Sequence, residues 1–78
     1  VECADDIKFD VVERVKEHFS RDHEVITVDG ARIQFEGGWG LVRASNTQPV
    51  LVLRFEAASE ARLGEIRGEV EHALSELR

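Results

Sequence analysis

Between residues 24 and 57 the hydrophobic period shortens to two and glycines cut the chain into brief runs, which leaves few folds open to it. Residues 31–36 alternate, with Ala31, Ile33 and Phe35 on one side and Arg32, Gln34 and Glu36 on the other. That pattern predicts a strand with one buried and one wet face. Before it, residues 24–28 are short and apolar through Val25, Ile26 and Val28, and Asp29 and Gly30 supply a two-residue hairpin signal. Gly37 and Gly38 predict the next turn, and Trp39 and Gly40 lead into a third strand over residues 41–44. A polar loop at 45–48 follows, and Pro49 opens a fourth strand over residues 50–56. The unbroken apolar run from Val50 to Leu53 predicts a central strand, covered at least in part on both faces.

Helical spacing flanks this block on both sides. Ile7, Val11, Val15 and Phe19, with Val12 widening the stripe, predict a helix over residues 6–20. Asp5 or Asp6 is expected to cap it, and Lys8, Asp10, Glu13, Arg14, Lys16 and Glu17 are expected to face water. Leu63, Ile66, Val70, Leu74 and Leu77 predict a second helix over residues 60–77 with Ser59 as its cap. Gly64 and Gly68 fall off that stripe, where each costs about 1 kcal/mol against alanine. The fold class is therefore α+β: a four-stranded antiparallel sheet with both helices packed on one face. Leu51, Leu53 and Phe55 then point toward the helices, and Val50, Val52 and Arg54 point away. Two valines on that second face suit either a surface for another domain or ordinary exposure.

With 78 residues the chain holds one domain, over residues 1–78, and buries about 60% of its unfolded surface. Its first residue is not methionine, as expected of an excised segment. No apolar run approaches the roughly 18 residues of a membrane span, and no signal peptide is visible. Cys3 is the single cysteine, which excludes an internal disulfide and predicts a small half-buried residue in a reduced, cytoplasmic protein. A net charge of −6 argues against a nucleic-acid partner, so any anion must be held by a local, preorganised site.

Such a site is concentrated in residues 43–49. Ser45 and Thr47 offer hydroxyl donors, Asn46 an amide, and Arg43 a planar fork that fits two phosphate oxygens. Asn46 also tolerates the left-handed backbone that turns successive N–H groups toward an anion, and Pro49 fixes the exit of the loop. By spacing alone, a plain Ser-Asn-Thr turn is the favoured reading over a phosphate cradle.

Residues 38–57, GWGLVRASNTQPVLVLRFEA, resemble the phosphate-binding loop and flanking strands of the α-D-phosphohexomutase superfamily. The motif R-x-S-N-T-x-P-x-L-x-x-R-x-E-A is met at Arg43, Ser45, Asn46, Thr47, Pro49, Leu51, Arg54, Glu56 and Ala57. The order of elements along the rest of the chain is similar too. Asn46 resembles the phosphomannomutase/phosphoglucomutase branch, whereas phosphoglucosamine mutases usually carry glycine there. The resemblance implies a TATA-binding-protein-like fold, with a short strand at residues 1–3 left open. It also implies the fourth, C-terminal domain of an enzyme that moves a phosphoryl group within a hexose phosphate. In that family a phosphoserine, an Mg²⁺ loop and a sugar-recognition loop belong to the other three domains. The chain contains neither a T-A-S-H-N-type serine loop nor DGDGDR, so the resemblance implies no catalytic residue and no cofactor in this domain. Its implied role is to hold, through Arg43, Ser45, Asn46 and Thr47, the phosphate that is not reacting. The implied partners are the phosphosugar and the other three domains. Arg54 fits the motif with its role left open between supporting the loop, pairing, and touching phosphate.

His18, His23 and His72 show no metal-ligand spacing and are expected at the surface. Trp39 is expected in the core or at the sheet edge rather than in the site. A small α+β ligand-sensing or protein-interaction module is the competing reading, since fold alone does not fix function.

Overall fold

Both helices fold over one face of a four-stranded antiparallel sheet in the computed structural model, which describes residues 2–28 and 30–77. The elements run α1 (Lys8–Ser20), β1 (Val25–Ile26), β2 (Ala31–Phe35), β3 (Gly38–Ala44), β4 (Leu51–Ala57) and α2 (Glu60–Leu77). The strands lie in the sheet in chain order, each pairing with the next.

The alternation in β2 places Ala31, Ile33 and Phe35 against the helices, as its sequence pattern predicts. Val11 and Val15 of α1, Ile33 and Val42 of the sheet, and Ile66 and Val70 of α2 exclude water completely. Each such side chain contributes about 1.5–3 kcal/mol by burial, which makes this seam the main support of the fold. Gly38 lets α2 sit close to the sheet. A Cβ there would lie 2.3 Å from the Glu56 carbonyl oxygen and 2.8 Å from Ile66 Cδ1. The second helix starts as predicted, with the Arg62 amide donating to Ser59 Oγ at 3.1 Å.

Several local expectations give way to tertiary context. Helix α1 begins at Lys8, after an Ile7 cap with no side-chain hydrogen bond, so neither Asp5 nor Asp6 caps it. Lys8 itself is 4% exposed rather than facing water. Val25 pairs with Ile33, whereas a two-residue turn at Asp29 and Gly30 would set it opposite Gln34. The one-place difference keeps Val25 on the helix-covered face, which decides the register. Asp29 lies outside the described residues, and β1 is only two residues long. The next turn consists of Glu36 and Gly37, with Gly38 already paired to Phe35.

Strand β4 is at the edge of the sheet, not central. Its apolar run arises because Leu51 is buried under the helices while Val52 is half-buried on the other face. The short strand left open at residues 1–3 falls partly outside the described residues, among which Glu2 forms a single bridge with Val50 beside that edge. Cys3 is buried rather than half-buried.

Candidate functional site

Strand β3 ends by delivering Arg43 and Ala44 to the mouth of the polar loop. Arg43 stands opposite Val52 on the helix-free face and is exposed. The loop begins at Ser45, whose amide donates to the Val50 carbonyl at 3.1 Å and so closes the neck of the connection. Ser45 Oγ accepts hydrogen bonds from the amides of Thr47 at 3.3 Å and Gln48 at 3.2 Å. Accepting both occupies the hydroxyl's lone pairs and leaves its O–H available to donate.

This geometry corrects the expectation of an amide nest. No residue other than glycine has a positive φ among the described residues, so Asn46 is not left-handed. The amides of Thr47 and Gln48 are turned onto Ser45. The side-chain donors that line the cavity are the guanidinium of Arg43, the hydroxyls of Ser45 and Thr47, and the Asn46 amide.

All four predicted site residues line one cavity of about 530 Å³. Its opposite wall is the first half of α1, through Phe9, Asp10, Glu13 and Lys16. Lys16 Nζ lies 2.9 Å from Glu13 Oε1, which partly neutralises that wall. Gly30 forms part of the floor with φ +82°, and a Cβ there would come within 2.5 Å of the Val42 carbonyl oxygen.

One contributor is absent from the sequence reading. Lys8 Nζ donates to the Gln48 carbonyl at 3.1 Å and pairs with Asp5 Oδ1 at 2.9 Å. The next residue, Pro49, accepts from the Cys3 amide at 2.8 Å. A signal for Lys8 existed: it continues the buried stripe of Val12, Val15 and Phe19 at helical spacing.

Arg54 is exposed on β4 opposite Leu41 and does not line the cavity. Trp39 lies in the sheet between Gln34 and Glu56, under the Arg32 guanidinium at 4.3 Å, also away from the cavity. His23 is half-buried rather than at the surface, with its ring 4.6 Å from that of Phe35 and Nδ1 3.2 Å from the Gln34 carbonyl. The described residues contain no group of three or more His, Cys, Asp or Glu able to hold a metal ion. No helix among the described residues is long and apolar enough to cross a membrane.

The architecture and the loop together define an α+β domain that presents a set of side-chain hydrogen-bond donors at one end of its sheet. The sequence profile of the phosphoglucomutase/phosphomannomutase C-terminal domain matches residues 1–73, and the chain belongs to that family. A phosphomannomutase/phosphoglucomutase of Pseudomonas syringae pv. tomato is 47% identical over 69 residues, covering 87% of this chain and 15% of the relative. A probable phosphoglucosamine mutase of Methanopyrus kandleri is 41% identical over 70 residues, covering 88% of this chain and 16% of the relative. A crystal structure of a phosphoglucomutase/phosphomannomutase family protein from Burkholderia thailandensis superposes with a TM-score of 0.78 at 39% identity, covering 90% of this chain and 16% of that one. The chain thus spans about 15% of the length of the Pseudomonas relative and corresponds to one domain of larger enzymes.

Proposed function

We propose that residues 1–78 form the phosphate-binding domain of a phosphohexomutase and hold the phosphate of a hexose phosphate that is not undergoing transfer. The observation that carries this reading is the convergence of Arg43, Ser45, Asn46 and Thr47 on one cavity, with the Ser45 hydroxyl set to donate. Four side-chain donors suit a dianion, and a guanidinium binds two of its oxygens at once. Such a clamp reads the phosphate and ignores the sugar. It therefore serves a 1-phosphate, a 6-phosphate and the 1,6-bisphosphate intermediate alike. Binding energy from the remote phosphate then positions the reacting end.

Asn46 favours mannose and glucose phosphates over glucosamine phosphate, following the motif of the phosphomannomutase/phosphoglucomutase branch. Phosphoryl transfer is assigned to the other domains, because the chain carries neither the T-A-S-H-N-type serine loop nor the DGDGDR motif of the family. The isolated chain binds but does not catalyse.

The test is a titration of the isotope-labelled chain with glucose 1-phosphate and with inorganic phosphate, following backbone amide shifts. Saturable shifts centred on residues 43–48, similar for both ligands and in the millimolar range, are expected. Arg43→Ala removes a charge-assisted bond of about 1.5–3 kcal/mol and weakens both ligands about 10- to 100-fold. Unchanged affinity in that variant would sink the assignment.

A further inference from the structure

We infer that Lys8 is a positioning residue for the 45–48 loop, holding it in the shape that receives phosphate without touching the phosphate itself. The inference rests on the phosphate reading of that loop.

Lys8 is the one buried charged side chain among the described residues. Taking an ammonium group out of water is costly, and an apolar residue of similar volume is often at least as stabilising in such a place. Its partners do not demand it for stability. Asp5 is 71% exposed and Gln48 is exposed, so water can serve both. The lysine therefore does something that stability does not require.

What it touches shows what that is. Lys8 Nζ fixes the Gln48 carbonyl, and the amide of the same residue donates to Ser45 Oγ. The single residue Gln48 thus links the buried ammonium to the Ser45 hydroxyl, whose O–H is available to donate. The Lys8 ammonium also lies 5.4 Å from the centre of the Phe9 ring, and Phe9 forms part of the facing wall. The Cys3 amide secures Pro49 from the same side, so the chain entering α1 holds the loop exit at two successive residues. Preorganising a loop lowers the ordering cost of binding, which is how a residue outside the contact set changes affinity.

The test compares the 78-residue chain with Lys8→Met and Asp5→Asn. Lys8→Met keeps the stem and its packing while removing the donor. Three quantities are read: the urea midpoint, amide exchange of Thr47 and Gln48 without ligand, and the Kd for inorganic phosphate. In Lys8→Met an unchanged or raised midpoint is expected, with exchange about tenfold faster and a Kd about tenfold weaker. Asp5→Asn moves both loop readouts in the same direction by about threefold. A Lys8→Met chain that keeps wild-type exchange or wild-type Kd overturns the inference, as does one that loses stability while its folded fraction binds normally. If Lys8→Met fails to fold, wild-type exchange in Asp5→Asn overturns it. Failure of the unmodified chain to bind phosphate refutes the phosphate reading, and this inference with it, whatever the variants do.

Discussion

The β2–β3 turn spans only Glu36 and Gly37, while the β3–β4 connection spans residues 45–50, yet both are secured by donors near the start of a helix. At the turn, the Ala58 amide donates to the Gly37 carbonyl at 2.9 Å from the approach to α2, and Arg62 Nε in its first turn donates to the Glu36 carbonyl at 2.7 Å. At the loop, the Cys3 amide and Lys8 Nζ take the Pro49 and Gln48 carbonyls from the approach to α1. The difference lies in what fixes the backbone. The turn is set by Gly37 with φ +82°, a conformation that glycine adopts without a Cβ penalty. No loop residue has such an angle, and side chains, the Ser45 hydroxyl and the buried Lys8 ammonium, join the backbone bonds in holding its shape. A connection fixed by its own backbone adds to stability. One held by distant side chains can change shape without unfolding the sheet, which suits the phosphate-holding role proposed for this loop.

If that contrast is right, damage on the turn side lowers stability and leaves binding alone, while damage on the loop side does the reverse. Gly38→Ala, just past the turn, should have the largest effect. Its Cβ collides with the Glu56 carbonyl and Ile66, and overpacking of this kind costs about 3 kcal/mol in urea unfolding. Gly37→Ala should follow at about 1–2 kcal/mol, the penalty of a left-handed backbone for a residue with a Cβ. Calorimetry of the variant with and without phosphate should give the same ligand-induced rise in Tm as the original chain. Ser45→Ala should cost least in stability, about 0.5–1 kcal/mol, because its amides can turn to water. Its phosphate affinity should nevertheless fall more than that of either glycine variant. A Ser45→Ala chain that binds normally would remove the basis for the contrast.

What the sequence disclosed followed the distance over which each feature is determined. The bounds of α2, its Ser59 cap and the buried side of β2 were legible because periodicity and capping act within a few residues. The start of α1 and the β1–β2 register were not. Two acidic residues ahead of an apolar stripe resemble a cap, but Asp5 is engaged with Lys8. Asp-Gly resembles a two-residue turn, but burial of Val25 outweighs that local preference. In the candidate site, a donor-rich loop lining one cavity was legible, and the direction of its amides was not. Asn46 permits a left-handed backbone, yet the Ser45 hydroxyl offers the amides a closer partner. Lys8 stayed hidden because its acceptor is 40 residues away in the chain.

Trp39 gives the helix-free face a further use. It is the one tryptophan of the chain, and the chain has no tyrosine. The ring is half-buried beneath Arg32 and shares its side of β3 with Arg43. Light emitted by the domain therefore originates almost wholly from one ring at one place. A change in colour or brightness reports on that face without any attached dye. Separation of the Arg32 plane from the indole would register even if every backbone hydrogen bond of the sheet stayed in place.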